Sequence, residues 1–434
     1  MKAQYAGLPL LLALLAACGS KQQPIISSAG TGNAQANQAS VSASSLGSAS
    51  AVDTPPAGGP LPAPAAAATA ANSAESRQDL RTVLFVDGNR GWVAGANLIL
   101  ATGDGGQNWA VQYLGPQVIY HLDAIDALHA WAVGEHQLLR TTDGGRNWQA
   151  AGEPGAPVEA VHFLSASVGY GVAAGALYQT RDGGVTWHPV ATPIPVGGQC
   201  FVNESTGWIV NVNGFTAGQS PPQTGTRMFT TTSAGQAWRE VPLPQSSDSG
   251  YPLPQQLQCV APGVLWDLVL GSGYAGGQGY WFYRSPDGGQ TWQEVVANPG
   301  SGNPRAPGPV AGALSTVNGS TAYLSGMCGP CSLPPAPTSS WPAPLAIGRT
   351  TDAGATWQNF SIRDMPYTLN DIAFVDPNTG WLVAQRSSVA VGESAILTTR
   401  DGGRTWNRQF TLGAPNPTPT RHSSATPSSC STCY

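Results

Sequence analysis

The chain has 434 residues, a formal net charge of −5 at pH 7 and only 10% charged residues. Such a chain offers no basic stripe that could displace the counterions of a nucleic acid, so no nucleic-acid partner is expected. The same composition argues against electrostatic attachment to anionic lipid.

The first segment carries Lys2 followed by the apolar run Leu8–Ala17. A positive charge before a short apolar run predicts a secretory signal peptide over residues 1–17, too short to span a bilayer comfortably. Residues 15–19 resemble the lipobox of bacterial lipoproteins, which implies that Cys18 becomes the lipidated first residue. Acyl chains on Cys18 would attach the protein to a membrane. We therefore expect an exported protein, lipid-anchored to the cell envelope at the outer face of the cytoplasmic membrane or at the outer membrane.

Two further segments lack the side chains that build a core. Residues 18–79 are rich in Ala, Ser, Gly and Pro, and residues 414–434 are rich in Ser, Thr and Pro. Neither can bury enough apolar surface to offset its ordering entropy, so both are predicted to be disordered. A tether of about sixty flexible residues spans roughly 40–45 Å, which lifts a following domain clear of lipid head groups.

Residues 80–413 contain a repeat, Thr/Ser-x-Asp-x-Gly-x-x-Trp. Six copies are complete, and a seventh has Ser233 in place of Asp. The Asp positions are Asp104, Asp143, Asp182, Asp287, Asp352 and Asp401. The Trp positions are Trp109, Trp148, Trp187, Trp238, Trp292, Trp357 and Trp406. Before each copy lie an apolar run and a small–aromatic pair such as Gly91-Trp92, and a short apolar run follows it.

Each repeat therefore predicts four short strands. Four-stranded units that recur at about 40 residues are typical of propeller blades. The sequence predicts an all-β fold, a seven-bladed β-propeller of four-stranded antiparallel blades over residues 80–413. No strand is left over to be shared between the first and last blades. We therefore expect the ring to close by side-chain packing.

The repeated motif has a structural explanation. Its Asp can accept hydrogen bonds from turn amides, its Gly supplies a positive φ, and its Trp packs between sheets. We therefore assign these Asp and Trp residues a structural role and predict no catalytic residue among them. Arg residues recur at fixed offsets beside the motif, at Arg140, Arg284 and Arg349 and again at Arg181 and Arg400. They are also expected to be structural, pairing across strands.

The motifs are Asp boxes, or BNR repeats, and the blades resemble the photosystem II stability/assembly-factor-like family of propellers over about residues 80–412. This resemblance implies a seven-bladed, non-catalytic propeller that binds other proteins. We expect an assembly or stability scaffold that binds a protein or a surface ligand such as a glycan, and we expect no cofactor. The alternative is a carbohydrate-active hydrolase, because sialidases and other Asp-box glycosidases carry the same motif. Such an enzyme needs two facing carboxylates, and no pair stands out in the sequence.

Two constellations remain after the repeats. Asp123, His162 and Cys200 fall at one level of neighbouring first strands, which line the central channel; polar residues satisfied by their neighbours are favoured there over a metal or acid–base site. Cys200, Cys259, Cys328 and Cys331 are candidate disulfide residues, and Cys200–Cys259 is plausible from the register. Cys328-Gly-Pro-Cys331 copies a redox motif but lies in a Pro-rich loop, so a structural bridge is favoured. No metal site is predicted.

The candidate binding face comes from insertions between the second and third strands of the last four repeats. They cover about 212–226, 270–280, 326–346 and 384–394 and hold the aromatic residues Phe215, Tyr274, Tyr280 and Trp341. Insertions confined to one face of a repeat protein often mark its binding face. The alternative is that the loops are neutral and Trp341 only covers its own blade.

Overall fold

The computed structural model describes residues 79–211, 227–243, 253–274, 277–298, 305–308, 310–327, 345–362, 367–386 and 393–413. The predicted signal peptide, almost all of the predicted tether and the predicted C-terminal tail lie outside the described residues. Within the described ranges, no helix has the length and apolar character that a membrane crossing requires.

The described residues form 26 strands in six antiparallel sheets, each with its strands in chain order. The first sheet contains β1 (Leu80–Phe85), β2 (Gly91–Thr102), β3 (Ala110–Ala124), β4 (Ala130–Gly134), β5 (Leu138–Thr141) and β6 (Gln149–Ala150). The second contains β7 (Ala160–Phe163), β8 (Gly169–Ala173), β9 (Ala176–Thr180) and β10 (His188–Val190). The third contains β11 (Val196–Phe201), β12 (Gly207–Asn211), β13 (Met228–Thr231) and β14 (Arg239–Val241).

The remaining three sheets have four strands each. The fourth contains β15 (Leu253–Ala261), β16 (Val264–Tyr274), β17 (Gly277–Ser285) and β18 (Gln293–Asn298). The fifth contains β19 (Val310–Thr316), β20 (Ala322–Met327), β21 (Leu345–Thr350) and β22 (Gln358–Ile362). The sixth contains β23 (Tyr367–Phe374), β24 (Gly380–Arg386), β25 (Glu393–Thr399) and β26 (Asn407–Leu412).

The propeller has six sheets, so the prediction of seven blades is wrong. Hydrogen bonding joins the first two sequence repeats into one six-stranded sheet. The cause is β3, a 15-residue strand whose two ends have different partners. Its residues up to Val118 pair with β2, and its residues from Ile119 pair with β4. The prediction of an all-β propeller built from antiparallel four-stranded units is confirmed for the other five repeats.

The small–aromatic pair at the start of each second strand has a packing reason. Phe85 at the end of β1 stacks on Trp381 of the last repeat, with ring centroids 3.4 Å apart. The same stacking joins Phe163 to Trp131 at 3.5 Å. A side chain at Gly91 would place its Cβ 2.5 Å from the Phe85 ring. Glycine at this position therefore lets the Phe ring lie flat between two repeats.

The ring closes by side-chain packing between the first and last sheets, as predicted. Among the described residues the two sheets share no strand. The Leu80 N–H donates to Ser394 Oγ at 3.1 Å, and the Val83 N–H donates to Asp371 Oδ2 at 2.9 Å. Leu80 and Leu412 are buried in one cluster with Trp381.

Candidate functional site

The Asp boxes form compact turns held by side-chain hydrogen bonds. In the first box, Thr102 Oγ1 accepts the Gly106 N–H at 2.9 Å and donates to Asp104 Oδ1 at 2.9 Å. Asp104 Oδ1 also accepts the Asn108 N–H at 2.9 Å, and Oδ2 accepts the Asn108 side-chain amide at 2.6 Å. Gly105 and Gly106 have φ of 74° and 89°, which glycine adopts without strain.

The same arrangement recurs in the other five complete boxes. Each Asp accepts from the hydroxyl two residues earlier and from the backbone and side chain four residues later. At Asp182, burial acts to raise the pKa, but hydrogen bonds from Thr186, Thr180 and Val185 outweigh it and hold the pKa at about 2. The box carboxylates are therefore ionised at neutral pH, and both oxygens of each accept hydrogen bonds.

The degraded fourth box keeps the turn with fewer bonds. Ser233 Oγ accepts the Ala237 N–H at 3.0 Å, which reproduces one contact of the missing Asp. Ala237 stands where complete boxes have Asn or Thr, so no side chain donates to a second oxygen. Ala234 occupies the first positive-φ position of the turn, with φ of 55°.

The channel residues singled out in the sequence do not converge on one point. Asp123 Oδ2 accepts the Phe163 N–H at 2.6 Å, and His162 Nε2 donates to the Phe201 carbonyl at 2.9 Å. Cys200 is joined to Cys259 by a disulfide with Cα atoms 6.0 Å apart. Each residue therefore bonds to the first strand of the next repeat, as expected for polar residues satisfied by their neighbours. No group of three or more metal-ligating residues occurs within the described ranges.

Burial sets the charge of these channel residues. It raises the pKa of Asp123 to about 7, against hydrogen bonds from Phe163 and Ala124, and it lowers the pKa of His162 to about 4. His162 is therefore neutral at pH 7. The candidate disulfide residues Cys328 and Cys331 lie outside the described residues.

Three further residues, which no sequence motif marks, extend this pattern. Gln258 Oε1 accepts the Thr316 hydroxyl at 2.6 Å, Ser315 Oγ accepts the Phe374 N–H at 3.0 Å, and Asp371 accepts from Val83. We call the set the inner belt: Asp123, His162, Cys200, Cys259, Gln258, Ser315 and Asp371. The common signal is position, since Asp123, His162, Gln258 and Ser315 each lie opposite the aromatic residue of the second strand.

The recurring arginines pair across strands as predicted, since Arg284 lies over the ring of Trp266 and Arg349 over the ring of Tyr323 on the neighbouring strand. Most of them also bond to the next repeat. Arg140 Nη1 donates to the Gly183 carbonyl at 3.2 Å, and Arg284 Nε donates to the Gly319 carbonyl at 2.6 Å. The guanidinium of Arg400 lies 5.0 Å from the ring centre of Trp381 and donates to the Gly105 carbonyl at 3.4 Å. Arg90, just before the first aromatic pair, follows the same pattern with the Gly144 carbonyl at 2.8 Å.

The structure changes part of the predicted binding face. Tyr280 is fully buried in β17, and its hydroxyl donates to the Gly308 carbonyl at 2.9 Å, so its assignment to that face is wrong. The reason is that the predicted insertion 270–280 lengthens a β-hairpin, in which Leu270 pairs with Tyr280 and Tyr274 pairs with Gly277. Phe215, Trp341 and the side chain of Tyr274 lie outside the described residues.

Comparison with known proteins agrees with this architecture. Residues 68–220 match the family model of the photosynthesis system II assembly factor YCF48. A structure of YCF48 bound to D1 peptide has 19% identity and a TM-score of 0.50, covering 75% of this chain and 94% of that chain. YCF48 from Cyanidioschyzon merolae has 17% identity and a TM-score of 0.48, covering 76% of this chain and 97% of that chain.

A glycosidase is also among the matching structures, at lower similarity. The GH74 xyloglucanase from Xanthomonas campestris has 16% identity and a TM-score of 0.41, covering 76% of this chain and 60% of that chain. No curated protein sequence matches the chain. Taken with the repeats and the box geometry, the family-model match and the structure bound to D1 peptide identify the chain as an Asp-box β-propeller that resembles the photosystem II assembly factor YCF48.

Proposed function

We propose that the chain is a non-catalytic scaffold of the cell envelope, anchored by lipid at Cys18, that binds another protein. The observation that carries the proposal is that its carboxylates already accept hydrogen bonds from the protein itself. Glycoside hydrolysis needs two carboxyl groups about 5–10 Å apart. One donates a proton to the leaving group, and the other either attacks the sugar or activates a water molecule. The box carboxylates are ionised and hydrogen-bonded within their own turns, and Asp123 and Asp371 accept backbone N–H groups of neighbouring repeats. These carboxylates therefore support the fold rather than a reaction.

A polypeptide is the favoured partner class. One similar propeller of known structure is described as bound to a D1 peptide. In this chain the insertions of the last four repeats all fall between a second and a third strand, a connection expected to leave a propeller on the face opposite the Asp-box turns. Trp341 stands in the longest of them. A large aromatic side chain on a loop held by a rigid ring is well suited to anchor a partner.

The proposal is tested by capture of partners from membranes with the full lipidated chain, followed by crosslinking and mass spectrometry. Trp341→Ala is expected to reduce capture while the melting temperature stays unchanged. Shortening the 326–346 loop should have the same effect. The matched control is Val185→Ala, because Val185 is 48% exposed in a box turn on the opposite face. Equal capture by wild type and both loop variants would contradict the binding face, and cleavage of a polysaccharide by the wild type would contradict the non-catalytic role.

The anchor has its own test. Cys18→Ser is expected to abolish labelling by a fatty-acid probe and to move the protein from the membrane to the soluble fraction, because the acylated thiol is lost. The control is Cys200→Ser with Cys259→Ser, which removes the disulfide but leaves Cys18 in place. A Cys18→Ser protein that still takes up the probe would refute the anchor.

A further inference from the structure

A cavity of about 420 Å³ opens between the fourth and fifth repeats on the Asp-box side. Its volume lies within the range of about 300–1,000 Å³ that small-ligand pockets have. Trp208, Trp238, Thr232, Asp287 and Gly288 are among the residues that line it. It lies beside the degraded box, where Ser233 replaces Asp.

The junction between the last and first repeats shows which side chains occupy the equivalent position in a complete repeat. There the Trp381 indole N–H donates to the Gly105 carbonyl at 3.1 Å, and Thr398 Oγ1 donates to the Gly380 carbonyl at 3.1 Å. Arg400, the residue that follows the box Thr, lies over the face of Trp381.

The fourth–fifth junction repeats this arrangement without the arginine. The Trp208 indole N–H donates to the Gly288 carbonyl at 3.0 Å, and Thr230 Oγ1 donates to the Gly207 carbonyl at 3.1 Å. Thr232 occupies the position of Arg400. The aromatic ring, the threonine and the carbonyl acceptor are therefore all kept, and the guanidinium that would lie on them is missing.

The walls of the cavity suit a planar cation. The face of an indole attracts a guanidinium, most strongly where water is excluded. Carbonyls at this position accept several donors, since Gly105 O accepts from Trp381, Arg400 and Gln409. Gly288 O accepts from Trp208 alone within the described ranges. Asp287, which is an ionised box carboxylate, adds negative charge to the same wall.

From this internal comparison we propose that the cavity binds an arginine side chain of a partner polypeptide. The proposal rests on the proposed function of protein binding, and it places a second partner contact on the Asp-box side in addition to the contact proposed for Trp341. The incoming guanidinium would take the place of Arg400, over Trp208 and against the carbonyl of Gly288. Arg239 also lines the cavity; it is exposed and has no hydrogen bond or ion pair with a described residue. Its like charge weakens the site, which provides a discriminating variant.

The first test titrates the full mature chain with N-acetyl-arginine N-methylamide and follows the indole N–H signals of Trp208 and Trp238 by NMR. Saturable shifts are expected, and the neutral citrulline analogue should bind about tenfold more weakly. Thr232→Arg should abolish binding, because it restores the residue found in the last repeat. The matched control is Thr142→Arg, which adds the same charge at the same box offset where Arg140 already bonds to the next repeat.

The second test asks whether like charge opposes the ligand. Arg239→Ser should tighten arginine binding, because a repulsive charge is removed, whereas weaker binding would show that Arg239 does not repel the ligand and would overturn the proposal. Equal affinity for arginine and citrulline, or full binding by Thr232→Arg, would also overturn it. Partner capture that persists in Thr232→Arg would refute this site while leaving the proposed function in place. Arginine binding without capture of any protein would refute the proposed function instead.

Discussion

Asp267 is a buried carboxyl in an otherwise apolar position of the second strand. Its side chain has no exposed surface, and neither oxygen has a hydrogen-bond partner among the described residues. It pairs in register with Leu257 on one side and Tyr283 on the other. Burial alone raises the pKa of Asp267 to about 8. The protein is therefore expected to hold this group protonated at neutral pH.

Because the pKa of Asp267 differs between the folded and unfolded chain, this residue makes the free energy of unfolding depend on pH. In the unfolded chain Asp267 loses its proton near pH 4, but in the folded chain it keeps the proton until about pH 8. The wild type should therefore lose up to about 1.4 kcal/mol of unfolding free energy per pH unit between these values through this group. Asp267→Asn should remove that dependence, so its advantage over the wild type should grow from pH 4 to pH 8. Parallel denaturation curves of the two proteins across this range would contradict the assignment.

The contribution of the box carboxylates to stability has the opposite dependence on pH. The pKa of Asp182 is depressed to about 2, so its contribution is complete above about pH 4 and is lost as the pH falls through 2. Asp182→Ala should lower the unfolding free energy by about 1 kcal/mol at pH 7, because the turn loses its acceptor. The difference from the wild type should shrink between pH 4 and pH 2 in urea titrations. A variant that unfolds like the wild type at pH 7 would argue against a structural role for the box.

At the scale of the element, local sequence patterns were sufficient for most of the fold. The box turn, the glycine beside each aromatic residue and the apolar first strand are set by residues close together in the chain, so each repeat could be recognised alone. The joining of two repeats by β3 was not predictable in this way, because it depends on which partners the two ends of one long strand find. The spacing of 39 residues between Asp104 and Asp143 does not differ from that between Asp143 and Asp182.

The candidate sites were less predictable than the strands. The long interval between strand motifs around Tyr280 predicts a loop, but a long interval can equally hold a longer hairpin. The inner belt uses Asp, His, Cys, Gln and Ser for the same task, so no single residue type marks it. The arginine contacts cross between repeats, and their acceptors are backbone carbonyls. Because every residue has such a carbonyl, residue types do not mark the acceptor.

The fourth box offers a test of how much the complete motif stabilises its turn. Ser233→Asp together with Ala237→Thr should restore both oxygen contacts that the other boxes make, raising the unfolding free energy by about 1 kcal/mol. Each single change should give less than half of this, because the Asp lacks its side-chain donor or the Thr lacks its acceptor. Thermal unfolding of the four proteins measures this coupling. A double variant equal to the sum of the singles would show that the two positions act independently.

At the scale of the whole molecule, the inner belt links first strands around much of the ring. Its bonds connect the second repeat to the third, the third to the fourth, and so on to Asp371, which returns to the first repeat at Val83. Between the fourth and fifth repeats the link is covalent, through cysteines 59 residues apart. Neighbouring sheets are therefore held together by hydrogen bonds and one disulfide of the inner belt, in addition to their packed side chains.

The closure of the ring brings the first and last strands of the propeller into contact with the same residue, Ser394. Ser394 accepts the N–H of Leu80 through its hydroxyl and pairs in register with Leu412. Paired residues of neighbouring strands lie about 5 Å apart. The chain before Leu80 and the chain after Leu412 therefore leave the ring at the same place, and a short peptide is enough to connect them.

Circular permutation follows from that geometry. A protein whose residues 80 and 412 are joined by a short Gly/Ser linker, with new ends at Gly155, should fold and melt within a few degrees of the parent, because Gly155 is an exposed turn residue between repeats. New ends at Gly115 should cost far more, since they cut the strand that joins the first two repeats into one sheet. Calorimetry of both permutants against the parent domain tests this, and equal melting temperatures for the two would show that β3 need not be continuous.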